Sequence, residues 1–482
     1  AGTPTQRVCD SVLGGRDVGR NHISGHGGLT KLGIGTLVLA GAHTDSGPTR
    51  VTEGRLAVNG SLTSDVSVQG GGIVGGSGRV GSLTANRGGT VAPGNSIGTL
   101  SVDRDLRFEP GSRYAVEVGS DGRSDRIASG GAAQINGGDV TVSLENDRNL
   151  LSQAQVRSLA GQRYDILSAA GGVSGQFDSA APQYLFLGTA LRYRPDRVLL
   201  DVGRNDRRFE SVAATRNQRG VARAAESLGA GHPVYESILA SRSAGEARHA
   251  FRQLGGQIHA DIASALVNDS RYLRETLNGR LRQSEGLAGP SEIKADESGA
   301  WAQLLGAWDH ASGTGNATGY QANTYGVLLG LDVEVANDWR LGVATGYTRT
   351  SLDGGHGAKG DSDNYHLAAY GGREFGNLAL RTGAGYTWHR IGTSRDIAYG
   401  AQRDRASASY SARTAQLFAE TGYGVETGWV NLEPFANLAY VNFENNRIGE
   451  HGGAAALGGG KQHTDATLST LGLRADTTWQ VA

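Results

Sequence analysis

Three short patterns in this 482-residue chain hold residue types that could do covalent chemistry. Residues 94–98 read GNSIG and match G-x-S-x-G, in which a serine stands on a strained turn between a strand and a helix. Here Pro93 comes before the match, and residues 99–102 (TLSV) read as a strand where the motif needs a helix, so Ser96 is not read as a nucleophile. Residues 76–81 (GSGRVG) match G-x-G-x-x-G, yet no βαβ pattern surrounds them, and a turn between strands is the simpler reading. His22, His26 and His43 lie near Asp45 and Ser46, but nothing orders them into a base, an acid and a nucleophile. No spacing suggests a metal site. With 76 glycines in the chain, chance matches of this kind are expected. Catalytic, cofactor and metal residues are all expected to be absent. The remaining candidates are charges whose chemistry is ion pairing: Arg340, Arg381, Glu420 and Glu433 late in the chain, and Asp261, Arg271 and Arg274 before them. A buried charge left alone would be costly.

The elements that must position these charges are strands. Residues 301–482 read as eight segments, each long enough to cross an outer membrane: 301–310, 323–336, 339–349, 365–374, 377–389, 410–426, 430–443 and 465–479. In 377–389, Leu378, Leu380, Ala384, Tyr386 and Trp388 share one face, while Arg381, Gly383, Gly385, Thr387 and His389 share the other. Apolar toward lipid and polar toward a lumen, with aromatics near the strand ends, is the dyad pattern of a transmembrane barrel. Tilted strands of about 9–11 residues suffice. The reading places Arg340, Arg381, Glu420 and Glu433 inward. It takes residues 351–364, 393–409 and 444–464 as long polar loops and Gly376 as a minimal turn. A soluble antiparallel barrel or sandwich would also alternate, and stays open from the pattern alone.

The first 200 residues are punctuated differently. Gly-Gly pairs separate short β-branched runs at 36–40, 49–52, 55–58, 65–68, 72–74, 82–85 and 99–102, about one strand every ten residues. That spacing suggests the rungs of a parallel β-helix, in which each rung buries its apolar side by stacking on the next. Runs at 139–144, 163–167, 185–193 and 198–202 read as longer strands capping the stack. A soluble sandwich is the alternative. From 209 to about 283 the apolar period becomes helical, broken by residues 229–233 and 255–256. The last piece, 258–281, would be about 35 Å long. It carries Asp261, Asp269, Arg271, Arg274, Glu275 and Arg280, too polar for lipid but suited to a polar lumen; an ordinary surface helix is the alternative.

Composition bounds the rest. Charged residues are 19% and the net charge is −1, which argues against a nucleic-acid partner. Mean hydropathy is −0.34, and no run approaches the roughly 18 apolar residues of a membrane helix. Cys9 is the single cysteine, so no internal disulfide can form. Residues 1–10 show neither the charged start nor the apolar core of a signal peptide.

Several ordered motifs resemble one family. Residues 28–62 (GLTKLGIGTLVLAGAHTDSGPTRVTEGRLAVNGSL) look like the passenger-associated repeat of type V autotransporters. Residues 91–102 (VAPGNSIGTLSV) are similar to a turn that recurs in their β-helices, and 164–177 (YDILSAAGGVSGQF) to the stretch that ends such passengers. Residues 339–347, 365–375 and 432–440 (LEPFANLAY) resemble the translocator barrel. The subtilisin-like serine protease branch is the nearest in look. The resemblance implies a mainly β chain: a β-helix segment at 1–130, a terminal autochaperone-like segment at 131–205, a helical linker at 206–298 with a pore helix at 258–282, and a transmembrane barrel at 299–482. It implies export of the chain's own passenger to the surface of a Gram-negative bacterium, a monomer in outer-membrane lipid, and assembly partners in the barrel insertion machinery and periplasmic chaperones. The family barrel has 12 strands, so about eight of 12 are present and the chain reads as a fragment at both ends. Asp45 stands where the repeat usually has an aromatic. Some members cut themselves at a pore-helix asparagine, whose amide attacks its own carbonyl. Asn268 and Asn278 are the candidates, although the double asparagine of the self-cleaving group is not present. No subtilisin motif lies in these residues, so a protease domain would stand upstream. A β-helical adhesin is the remaining alternative.

Overall fold

The computed structural model describes residues 6–9, 15–19, 22–145, 161–182, 184–284, 299–335, 338–426 and 430–476, and the chain divides into two compact units. In the first, short parallel strands stack into two sheets. One runs Arg16–Gly19, Thr36–Leu39, Arg55–Val58, Ile73–Gly76, Thr90–Pro93, Arg113–Val118, Asp139–Leu144 and Ser179–Pro182. The register aligns Leu37, Leu56, Val74, Val91, Tyr114 and Val140 in one buried column. Each such side chain contributes about 1.5–3 kcal/mol by leaving water, and none could do so without the rungs on either side. This is the β-helix that the sequence suggests. A rung supplies two or three strands, so the ten-residue spacing is that of strands and not of rungs. Turns stack as tightly as the strands. A Cβ on Gly54, whose φ is +65°, would lie 2.3 Å from the Gly33 carbonyl oxygen.

Three of the four expected capping strands do cap. Gln162–Ala169 pairs antiparallel with Arg197–Arg204, which pairs in turn with Leu187–Arg194. Asp139–Leu144 does not: it is one more parallel rung, between Arg113–Val118 and Ser179–Pro182. Length misled here, because six residues suit a rung as well as a cap.

Helices follow: α1 (Arg216–Ser227), α2 (Pro233–Leu239), α3 (Ala244–Leu254) and α4 (Gln257–Ser284). Gly229 and Gly231, at φ +72° and +97°, break the first pair, and Pro233 opens α2. In the second unit eight long strands form one antiparallel sheet in chain order: β1 (Gly299–Ala311), β2 (Tyr320–Val335), β3 (Trp339–Gly355), β4 (Ala358–Phe375), β5 (Leu378–Tyr399), β6 (Gln402–Tyr423), β7 (Asn431–Asn445) and β8 (Gln462–Asp476). The expected ends at Ala336 and Trp479 lie outside the described residues. Leu341, Val343, Leu367, Leu417 and Leu438 are exposed on the outer face, as lipid contact requires.

Two of the three expected loops are strands. Residues 351–364 and 393–409 continue the ladders up to tight turns at 356–357 and 400–401. The cause is an inversion of polarity. Above Tyr347, Tyr365 and Trp388 the outer positions turn polar (Arg349, Asp361, Asp363, Arg390), while inner ones turn apolar (Leu352, Ile391, Ile397). Alternation therefore persists where apolar-outward alternation ends. Only residues 446–461 remain a loop, with a small ladder between Ile448–Gly449 and Gly458–Gly459.

Candidate functional site

The inner face of the sheet is occupied by α4, whose 28 residues would span about 42 Å. Two apolar contacts seat it. Ile258, Ile262 and Leu266 pack on Leu352, Ile391, Val441 and Phe443. Leu273, Leu277 and Leu281 pack on Leu328, Tyr370 and Phe418. The Phe418 ring fits because Gly383 faces it; a Cβ there would lie 2.5 Å from the ring.

Near the end of α4 the charges converge into two clusters. In one, Asp332 of β2 accepts two bonds from Arg280 (2.8 and 3.0 Å), one from Arg340 (2.8 Å) and one from the Tyr370 hydroxyl (2.9 Å). Tyr370 is fixed in turn by the Trp301 indole N–H at 2.7 Å. In the other, Arg381 is 0% exposed and reaches Glu420 at 3.0 Å and Glu433 at 2.6 Å. Arg282 of α4 adds a contact to Glu420 at 3.2 Å, and Arg474 of β8 reaches both glutamates at 3.2 Å. Buried ions are tolerated only when paired and hydrogen-bonded on most sides, and these are.

Between these clusters and the start of α4 lies a belt of hydroxyl, amide and imidazole groups around Asp269. Asp269 accepts from Thr324 and Thr350, both at 2.8 Å. Thr350 accepts from Asn364, whose carbonyl oxygen meets His389 at 2.7 Å, and His389 meets Thr414 at 2.8 Å. Two threonine hydroxyls thus satisfy the Asp269 carboxylate, which has no cation bonded to it among these contacts, and the amide and imidazole behind them hold one of those hydroxyls in place.

The sequence-derived candidates are distributed as follows. Arg340, Arg381, Glu420 and Glu433 all face the lumen, and the last three share one cluster. Asp261 meets Gln257 at 3.1 Å; Arg271 pairs with Asp309 at 2.7 Å; Arg274 donates to Gln416 at 3.0 Å. None of these three helix residues meets the four lumen residues in these bonds; the helix reaches Glu420 through Arg282 and Asn278, while Arg280 bonds Asp332, which Arg340 also contacts. Asn278 is buried and donates to Glu420 at 3.3 Å, whereas Asn268 is exposed. The sequence patterns do not single out Asp332, Arg474, Arg395, His259 or Glu450, which the fold brings into these clusters. Asp332 had a signal, a lone carboxylate among the apolar residues 327–333; Glu450, in a loop, had none.

In the first unit, Ser96 donates to Glu145 at 3.2 Å from a turn between two strands. His26 meets Ser46 at 2.9 Å, and His22 meets Thr44 at 3.1 Å. His43 and Asp45 point into the β-helix, where burial lowers the first pKa and raises the second. Burial likewise pushes Asp125 up to about 7, against the pull of the Gly98 and Glu117 amides it accepts. Among the described residues no group of three His, Cys, Asp or Glu could hold a metal ion.

Residues 300–482 match the family described as autotransporter beta-domain, and residues 29–58 the passenger-associated-transport-repeat. Two proteins of Serratia marcescens, each named extracellular serine protease, are 53% and 50% identical over 99% and 100% of this chain. The matched region is 50% of each, so the chain spans about half the length of the curated relatives it matches. The translocator domain of autotransporter NalP from Neisseria meningitidis is 19% identical, with 44% of this chain and 72% of that chain aligned at a TM-score of 0.34.

Proposed function

Because this chain belongs to the autotransporters through its β-domain and its passenger-associated repeat, we propose that β1–β8 carry the chain's own β-helix outward across the outer membrane and that α4 then stays in the lumen as a plug. The β-domain is an outer-membrane domain, and the stem it exports stands at the cell surface. The observation that supports the plug is a charged helix lying along the inner wall of a sheet whose outer face is apolar. Arg280 and Arg282 anchor that helix by contacts that exist only once it is docked. Replacing both Glu420 and Glu433 with Gln in the full-length protein is expected to loosen the plug and raise pore conductance in planar bilayers. Unchanged conductance would sink the plug reading.

A second reading concerns the parent protein. The relatives' names favour a serine protease whose catalytic segment lies outside these residues. This chain would then supply export and display, without hydrolysis of its own. A serine-directed activity probe should label the secreted full-length protein and not this chain expressed by itself. Assembly by the barrel insertion machinery, helped by periplasmic chaperones, is part of the same proposal. Depleting that machinery should leave β1–β8 protease-sensitive.

A further inference from the structure

We propose that residues 446–461 are a retaining strap that closes over the start of α4, with Glu450 as its latch; the inference rests on the plug reading above. The strap leaves β7, bonds β6 through Ser407 and Asp404 and β5 through Arg395, and returns into β8. Glu450 is 8% exposed, and its carboxylate bonds the wall and α4 as well as the strap's own Leu457 amide. One oxygen takes the Arg395 Nε at 2.8 Å and meets His259 Nε2 of α4 at 2.9 Å; the other takes an Arg395 terminal nitrogen at 2.7 Å and the Leu457 amide at 2.8 Å.

Arg395 of β5 joins the pieces. Besides the carboxylate it donates to the Ala455 carbonyl in the strap at 2.7 Å and to the Gln253 carbonyl just before α4 at 2.9 Å. One guanidinium thus ties wall, strap and incoming chain, and a planar five-donor fork suits that task where a lysine would not. Leu457 of the strap touches Gly256, where the chain turns into α4; a Cβ on Gly256 would lie 2.7 Å from the Leu457 Cδ1.

The strap is fitted to the wall as well. Ser407 and His451 exchange two backbone bonds at 2.9 and 2.8 Å, and the Ala455 amide reaches Asp404 at 2.9 Å. Gly452 and Gly453 sit so close to β6 that a Cβ would lie 2.0 Å from the Arg405 carbonyl oxygen and 2.2 Å from the Asp404 side chain. Half of the latch, His259 with the Gln253 carbonyl, reaches this position only when α4 is in place. The strap therefore has to be unlatched during passage and latches after docking. Its consequence is retention: a pull on the exported stem is met at the mouth before it reaches the lumen charges.

The test uses the full-length protein in planar bilayers and on cells. Glu450→Ala should raise the frequency of open bursts severalfold with the amount of surface passenger unchanged. A variant with residues 452–457 replaced by two glycines should do the same, which covers the case in which Glu450→Ala fails to assemble. A Gly256→Cys, Leu457→Cys pair should cross-link in exported protein and restore quiet pores when combined with Glu450→Ala. Quiet pores in both strap variants, alongside noisy pores in the Glu420/Glu433 double variant, would overturn the strap and leave the plug standing. Quiet pores in all three would remove the plug and the strap with it.

Discussion

The stem and the barrel obey one local rule and point it in opposite directions. Both are built of strands whose side chains alternate, but the stem turns Leu37, Leu56 and Val74 inward, away from water. The barrel turns Leu341, Val343 and Leu417 outward, to lipid, and keeps Arg381, Glu420 and Glu433 inside. Above Tyr347 and Trp388 the barrel changes sides and resembles the stem, with Leu352 and Ile391 inward. A strand's period says nothing about which face is wet; the medium on either side decides that.

The contrast can be tested at single positions. The largest effect is expected at Arg381. Arg381→Met removes the most buried cation of the cluster, leaving Glu420 and Glu433 only the more exposed Arg282 and Arg474, and should cost about 3–5 kcal/mol, read as a lower urea midpoint for β1–β8 in lipid. In the stem the matching failure is a void: Leu56→Ala should lower stability by about 2–5 kcal/mol, in a melt followed by a probe on the β-helix. If the two effects were interchangeable in mechanism, adding a methionine-sized apolar residue would rescue both, whereas only the stem should accept it. Next comes the outer face of the barrel. Val343→Arg should cost about 2–4 kcal/mol in lipid, while Ser394→Lys, beyond the aromatic row on the same face of β5, should stay within about 0.5 kcal/mol. Equal costs at the two sites would refute the inversion. A pH slope tests the stem separately. Asp125 titrates higher in the folded stem than in an unfolded chain, so its contribution to stability is full below pH 4 and is lost as pH rises toward about 7. Asp125→Asn should flatten the stem's melting temperature over that window relative to the parent; an unaltered slope would mean that Asp125 ionises normally.

Self-cleavage offers a sharper geometric question. Asn278 is buried beside Glu420, and Asn268 is exposed. N-terminal sequencing of purified barrel that begins well away from both would dispose of the idea.

Much of the architecture was legible in the sequence. Gly-Gly punctuation with β-branched runs indicated the stem, and the dyad pattern gave the strand count and the inward faces of β3, β5, β6 and β7. These are local properties: a two-residue period and a tight turn set them without reference to distant residues. Residues 351–364 and 393–409 look like loops in sequence because their alternation carries the opposite polarity to the lipid-facing segments. What the tertiary structure alone decided is the pairing across the lumen. Whether Asp332 meets Arg280, or Glu420 meets Arg282, depends on the stagger of the sheet and the rotation of α4, both set by Ile258, Leu273 and Leu281 against the wall. Glu450 shows the limit most plainly. In sequence it is one acidic residue in a glycine-rich loop; its role comes entirely from Arg395 and His259, 55 and 191 residues away, because contacts between distant segments are fixed by the fold's geometry and leave no local period to read.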